Sequence, residues 1–513
     1  MIRLETEPSI DILRQTALLL ERENLRLHAR LIELSRALAE SRGTAAEQLT
    51  LQIRQLEEEL AQRNRKLFGA SSEKRPRTEG EAETTAPADP AKPRTGHGPR
   101  QQPALPTLEV THTLDAPDQM CPKCGGDLQP WDGQFEEAEE IDVVERCFRL
   151  VKHRRQKYRC ACGSCVETAL GPDKLIPGGR YSVDVALAVA VGKYADHLPL
   201  ERQVRQMARD GLIVDSQTLW DQIFALSRHL EPSYRRLADY VLSSPVIGAD
   251  ETTWRLMQKR GVSRYWVWAI TRPDAVWYRI LGSRSAKAAQ TVLGNYRGIV
   301  MADGYGAYGC LQREIAERGN GVTFELAHCW AHLRRKLVEA EPHYAQCKDV
   351  VTLVGTLYEI EARARSLGME AGGGGLLELR QEQSAPIVQA IRNWLNAEGL
   401  TALPQSAIGK AIRYAFDLWK GLTKFLGNSA IPLDNNQSER GMRGVALGRK
   451  NHYGSRSLRG TEVAAIFYSH IESAKLAGVE PAAYLREAVR RAIARPGAVT
   501  LPGDLLGAAI NTS

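Results

Sequence analysis

Leucine and other apolar residues recur every seven positions through residues 9 to 41. Ile10, Ala17, Asn24, Leu31 and Leu38 hold one heptad position, and Leu13, Leu20, Leu27 and Leu34 hold the position three residues later. This is the a/d seam of a coiled coil, with Asn24 as a polar a residue that fixes register at some cost in stability. Ala46, Ile53, Leu60 and Leu67, with Leu49 and Leu56, repeat the spacing one residue out of phase, which predicts a break near Gly43. The pattern reads as a self-associating coiled coil; its rival is an amphipathic helical hairpin folded on its own body. From Ala70 to about Leu105 large apolar residues nearly vanish and Pro, Glu, Thr and Gly dominate. Such a segment cannot offset its ordering entropy and reads as a flexible linker.

Two cysteine knuckles follow, CPKCGGDL at 121–128 and YRCACGSC at 158–165, separated by strand-like sequence. Tetrahedral zinc needs four soft ligands, and two short turns supply two each, so the segment predicts a zinc ribbon holding one structural Zn2+. Cys121 and Cys124 form the first pair. Cys160, Cys162 and Cys165 offer three ligands for the two remaining places, and the spacing leaves that choice open. Residues 182 to 243 read as all helical. Within them PLERQVRQMARDGLIVDSQTLWDQIFAL offers a helix, a turn at Gly211 and an N-cap at Asp215 or Ser216, the outline of a helix-turn-helix. Ordinary helix bundles share that outline.

After Pro245 the pattern changes to strands alternating with helices. SPVIGADETTW, RYWVWAITR and AVWYRIL read as three strands, SAKAAQTVLGNY as a helix, GIVMADGYGAY as a strand ending at Asp303, YGCLQREIAERG as a helix, VTFELAHC as a strand and WAHLRRKLVEA as a helix. This succession is that of a ribonuclease-H-like fold, in which the first and fourth strands adjoin at the centre of the sheet. Their ends would bring Asp250 and Asp303 together. An all-helical stretch from about 345 to 430 then precedes LDNNQSERGMR, where Asp434 or Asn435 can cap a helix carrying Glu439 on its first turns.

The expected fold class is thus multidomain α+β. Residues 1–69 form coiled-coil helices, 70–108 a disordered linker, 109–170 the zinc-ribbon domain and 171–244 a helical, helix-turn-helix-like DNA-binding domain. Residues 245–344 form the first part of a ribonuclease-H-like α/β catalytic core, 345–430 its all-helical insertion, 431–475 its final helix and 476–513 a C-terminal helical segment and tail.

A chain of 513 residues, 43% of them apolar, has material for several cores. The net charge of +7 leans toward a polyanionic partner, and its distribution says more than its size. Between Glu439 and Glu462 no acid occurs, whereas Arg440, Arg443, Arg449, Lys450, Arg456 and Arg459 do. Nine cysteines in one pair, one trio and four singletons fit metal ligation in a reducing compartment better than a disulfide framework. Glu5, Glu7 and Asp11 break the order of a signal peptide, and VDVALAVAV at 183–191 is too short to span a bilayer. A cytoplasmic, nucleoid-associated protein without membrane contact is the expectation.

Two carboxylates leaving adjacent buried strands repel each other unless a divalent cation lies between them. Magnesium is the expected occupant, as two ions, because two-metal phosphoryl transfer activates the attacking oxygen at one ion and stabilises the leaving oxygen at the other. Glu439 would supply the third acid, with the surrounding cations gripping the nucleic-acid backbone. The rival for Glu439 is an ordinary surface pair with Arg443 at i,i+4.

In combination, RKLFGASSEK, CPKCGGDL, ADETTWRL, ADGYGAYG, HCWAHLRRKL, AIRYAFDLW, DNNQSERGMRGVALGRKN and IESAKLAGVEPAAYL closely resemble the transposases of the insertion sequence 66 family, the large C protein of those elements. The resemblance implies a DDE catalytic triad of two aspartates and a glutamate, falling on Asp250, Asp303 and Glu439. The family's CWAHxRR motif falls on Cys329, His332, Arg334 and Arg335. It also implies element-end DNA as substrate and two small accessory proteins, while the heptads predict a homo-oligomer through the coiled coil; double-stranded DNA, both element ends and target, is the expected partner. His332, Arg334 and Arg335, with Arg440, Arg443, Arg449 and Lys450, are the expected DNA contacts. The second knuckle, YRCACGSC, departs from the spacing expected of the family. Two other readings remain: a non-catalytic DNA-binding regulator derived from a transposase, and a nuclease of Holliday-junction or ribonuclease H type.

Overall fold

The computed structural model describes residues 22–23, 26–35, 37–38, 44–68, 148–159, 166–258, 261–319 and 323–506. Cys121, Cys124, Cys160, Cys162 and Cys165 lie outside the described residues, as do the linker at 70–108 and most of the first heptad stretch. Helix α1, Thr44–Phe68, carries the second heptad stretch. Its Leu60 is buried, as is Leu34 before it, and the Glu58 carboxylate accepts the backbone N–H of Ala407 at 2.8 Å. Through that bond the second heptad helix touches its own chain. Strands β1, Lys157–Arg159, and β2, Val166–Thr168, pair antiparallel on either side of the second knuckle.

Helix α2, Val183–Tyr194, starts where Ser182 Oγ accepts the N–H of Val185, and the apolar run noted above buries Ala186, Leu187, Val189 and Ala190. Helix α3, Leu200–Arg209, ends at Gly211, whose φ of +85° suits a residue without a Cβ. Asp215 then caps α4, Ser216–Leu242, through the N–H of Thr218 at 2.6 Å. Leu219, Ile223, Leu226 and Leu230 recur at helical spacing, so α4 turns an apolar stripe inward. That stripe shares one core with residues up to Leu505, and the helices of 171–244 pack as part of the main body.

A five-stranded mixed sheet follows, in the order β5-β4-β3-β6-β7. Strands β3, Val246–Gln258, β4, Gly261–Arg272, and β5, Ala275–Leu281, form an antiparallel meander. After helix α5, Ala286–Leu293, strand β6, Ile299–Ala302, pairs parallel to β3 with Val246 opposite Ile299 and Gly248 opposite Met301. Helix α6, Gly306–Glu317, leads to β7, Glu325–His328, parallel to β6, and then to α7, Trp330–Ala340. The succession and the central β3/β6 pair are as the sequence pattern anticipates. Both faces of the sheet are covered: Trp254, Val267 and Ala269 face α4 and the C-terminal helices, whereas Ile247, Ala249, Trp268 and Ile270 join a core with α5 and α6. Double coverage explains why β4 and β5 read as nearly unbroken apolar runs.

The next stretch is all helical: α8, Cys347–Ser366, α9, Gly374–Leu379, a π-turn at Arg380–Ser384, α10, Ala385–Gly399, and α11, Ala407–Leu422. These helices bury a separate core with Trp330, Leu333 and Leu337 of α7. The π-turn contains Arg380, 1% exposed, which pairs with both oxygens of Glu361 at 2.7 and 2.9 Å and donates to the carbonyls of Phe425 and Ile431. A buried guanidinium this fully bonded fixes the path back to the sheet. Helices α12, Asn436–His452, α13, Leu458–Leu476, and α14, Pro481–Ala494, complete the fold. α13 covers β5, with Ser469 and Ser473 accepting the N–H groups of Tyr278 and Val276. Those serines satisfy an edge strand that would otherwise offer unpaired donors. Among the described residues no helix is long and apolar enough to cross a membrane.

Candidate active site

Strand alternation sends Asp250 and Glu251 to opposite faces of β3. Asp250 pairs across the ladder with Ala269, and its Oδ1 accepts the N–H of Glu251 at 2.8 Å. The β3/β6 register, continued past Met301, brings Asp303 level with Asp250 at the end of β6. The turn after β6 is held firmly. Asp303 Oδ1 accepts the N–H of Tyr305 at 2.9 Å, and Tyr414 of α11 donates its hydroxyl to the Asp303 carbonyl. Gly304 has φ of +89°, and a Cβ there would stand 2.4 Å from Leu418 Cδ1. The helical insertion therefore presses directly on the aspartate turn.

Glu439 arrives from the other side, on the first turn of α12. The helix start is pinned across β3: Asn435 Nδ2 donates to the Ala249 carbonyl at 3.0 Å, and the hydroxyls of Ser438 and Thr271 lie 2.6 Å apart. Gly248 makes this crossing possible, since a Cβ there would lie 2.2 Å from Ser438 Oγ and 2.5 Å from Thr271 Oγ1. The surface-helix reading of Glu439 is thus set aside, because its helix begins against the central strand. Burial, then the charges of Glu251, Asp303 and Glu439, push the Asp250 carboxyl up to about 7. Mutual repulsion of this kind marks a place where a divalent cation would be welcome.

The Glu439 carboxylate leans toward α7. Its Oε1 lies 3.5 Å from His332 Nε2 and its Oε2 3.8 Å from Arg335 Nη2. Oε1 is buried without a hydrogen-bond partner, which fits an oxygen shaped for a ligand. Cys329, His332 and Glu439 present ligand atoms all within 4.8 Å of one another. Arg334 and Arg335 are exposed on α7. On α12, Arg440, Arg443, Leu447 and Lys450 are exposed and recur at helical spacing as one stripe, while Met442 and Val445 face inward. Arg449 differs from these neighbours. Its Nη1 donates to Thr252 Oγ1 at 3.1 Å and to Thr253 Oγ1 at 2.7 Å, which ties α12 to β3.

Sequence reasoning missed a brace behind the aspartates. Glu251, buried on the far face of β3, receives both Nε and Nη2 of Arg284 at 3.0 and 2.9 Å and the hydroxyl of Tyr308. The Arg284 guanidinium stacks 3.6 Å from the ring of Tyr305, whose hydroxyl donates to the Arg284 carbonyl. β3, the turn after Asp303 and α6 are joined by this network. The adjacency of Glu251 to Asp250 was a usable signal, because a second acid in an apolar strand needs a partner. Nothing near Arg284 announced it.

The profile described as "Transposase IS66 family" matches residues 178–463, more than half the chain, and "zinc-finger binding domain of transposase IS66" matches 118–163. Three relatives come from Sinorhizobium fredii. The chain is 32% identical to uncharacterized protein y4jD over 403 residues, 76% of this chain and 77% of the relative. It is 33% identical to uncharacterized protein y4qI over 371 residues, 69% and 67% of the two chains, and 26% identical to uncharacterized protein y4hP over 421 residues, 78% and 75%. With the five-stranded sheet, Asp250, Asp303 and Glu439 inside one matched segment and Cys121, Cys124, Cys160 and Cys162 inside the other, the chain belongs to the IS66 family of transposases.

Proposed function

We propose that the chain is an active DDE transposase whose ribonuclease-H-like core uses Asp250, Asp303 and Glu439 to hold two magnesium ions. The observation that carries this reading is the convergence of three acids from β3, the end of β6 and the first turn of α12, with Asp250 pushed up to about 7 by burial first and then by the charges of Glu251, Asp303 and Glu439. Bound magnesium would activate the attacking oxygen and stabilise the leaving one. The protein's part is to fix the acids. Gly248, Asn435 and Ser438 hold Glu439 over β3, while Tyr414 and the Glu251–Arg284 pair hold the Asp303 turn. Water attacks the phosphodiester at an element end, the bond from phosphorus to the 3′-oxygen breaks, and a 3′-hydroxyl and a 5′-phosphate result. That hydroxyl attacks a target phosphodiester, displacing the target 3′-oxygen, with the protons passing to solvent.

Arg440, Arg443 and Lys450 grip the DNA backbone beside Glu439, with Arg334, Arg335 and His332 on the facing helix; Arg449 serves the fold instead. One zinc, held by Cys121, Cys124 and two of Cys160, Cys162 and Cys165, orders the ribbon for DNA contact. The heptad helices pair protomers so that two ends are handled together in the cytoplasm, at the nucleoid. Two accessory proteins would complete the assembly. The test combines an element-end duplex, a supercoiled target and the full chain in magnesium. Nicked ends and joint molecules support the reading; retention of DNA without either product supports the regulator instead.

A further inference from the structure

We propose that Cys329, His332 and Glu439 form a second cation site, suited to a divalent ion of the zinc class, and that an ion there draws Glu439 away from the two aspartates. A thiol, an imidazole and a carboxylate together select a borderline or soft ion, whereas magnesium keeps to oxygen ligands. The three ligand atoms already lie within 4.8 Å of one another. Zinc bonds of about 2.0–2.3 Å set its ligands roughly 3.5 Å apart, so closure takes side-chain movements of about an ångström.

The scaffold is rigid where it needs to be. Cys329 follows β7 and precedes α7, and His332 stands one turn along that helix. The Cys329 sulfur is 0% exposed and forms the floor, while His332 and Glu439, with side chains 21% and 31% exposed, leave the entrance open. Two side-chain atoms of the trio are buried without a hydrogen-bond partner: His332 Nδ1 and Glu439 Oε1. The Asn435 N–H donates to the cysteine sulfur at 3.2 Å, the kind of outer contact that steadies a metal-bound thiolate. On binding, the thiol proton passes to solvent, the imidazole binds through one nitrogen, and the fourth position goes to water. Arg335 stays on the second oxygen of Glu439.

Glu439 has one carboxylate for two sites, so the inhibitory consequence rests on the function proposed above, whereas ion binding does not. The full chain is equilibrated with zinc, desalted, and its metal content measured per chain. Wild type is expected to retain one more zinc than Cys329→Ser, and one more than His332→Asn should the serine variant fail to fold. Cys121→Ser is expected to keep this ion and lose the ribbon's. In the magnesium nicking assay, the zinc concentration that halves each protein's own zinc-free rate rises about 10- to 100-fold in Cys329→Ser. Equal zinc content in wild type and both site variants, or an unshifted half-inhibitory concentration, overturns the proposal. A wild type that gains the extra zinc but never nicks DNA overturns the functional reading alone.

Discussion

Asp250 concentrates the chemistry of the site in one carboxyl. Its folded-state pKa, about 7, lies above the ordinary 3.8, chiefly through burial and the neighbouring Glu251. Ionising it therefore opposes folding: its contribution to stability is intact below the unfolded value and is lost as pH rises through about 7. Without divalent ions, Asp250→Asn is expected to raise the melting temperature near pH 8, with the difference closing toward about pH 4. Adding magnesium should then stabilise wild type and leave the variant unmoved, which differential scanning fluorimetry reads directly. Gly248 carries a steric prediction. A methyl 2.2 Å from Ser438 Oγ forces α12 off the strand, so Gly248→Ala should cost about 1–3 kcal/mol in urea unfolding and lose nicking far beyond that. Unchanged stability and activity would show that α12 does not cross β3 as described. Of these residues only Asp250 was visible in advance, as an acid ending an apolar strand. Gly248 sits in VIGADE with no turn signal, and its need for hydrogen appears only when a helix almost two hundred residues away lands on it.

At the scale of elements, α12 separates two roles that charge alone confounds. Arg440, Arg443 and Lys450 share its exposed stripe, whereas Arg449 bonds the threonines of β3. Replacing the three exposed cations by alanine should reduce the slope of log affinity against log salt by about 2–3, at roughly 0.9 per phosphate contact. Arg449→Ala should leave that slope alone and lower the melting temperature. The reverse pattern would exchange the assignments. The strand-helix succession was legible because β-branched and aromatic runs alternate with helical spacing after Pro245. The helical character of 182–243 and the cap at Asp215 were legible too, but the place of α4 in the main core was not, since a helix-turn-helix outline and a packed bundle share turn and cap chemistry at Gly211 and Asp215. The brace from Glu251 to Arg284 spans 33 residues, and local pattern carries no record of such a pairing.

In the molecule as a whole, the heptads pose the open choice between partners. The Glu58 carboxylate accepts the first N–H of α11 of its own chain, so α1 reaches its own body through at least this bond. We expect the full chain to sediment as a dimer and the chain lacking residues 1–43 as a monomer. A dimer of unchanged stability after that truncation would assign the first heptad stretch to its own body. The central claim is that acids from three distant segments act as one metal site on element-end DNA. Its most direct test is magnesium-dependent nicking at saturating DNA by wild type beside Asp250→Asn, Asp303→Asn and Glu439→Gln. The account predicts that each variant binds the DNA within roughly threefold of wild type and nicks it at least about 1,000-fold more slowly, as expected when a group acting mainly in the transition state is removed. Near-wild-type nicking by any of the three would contradict it.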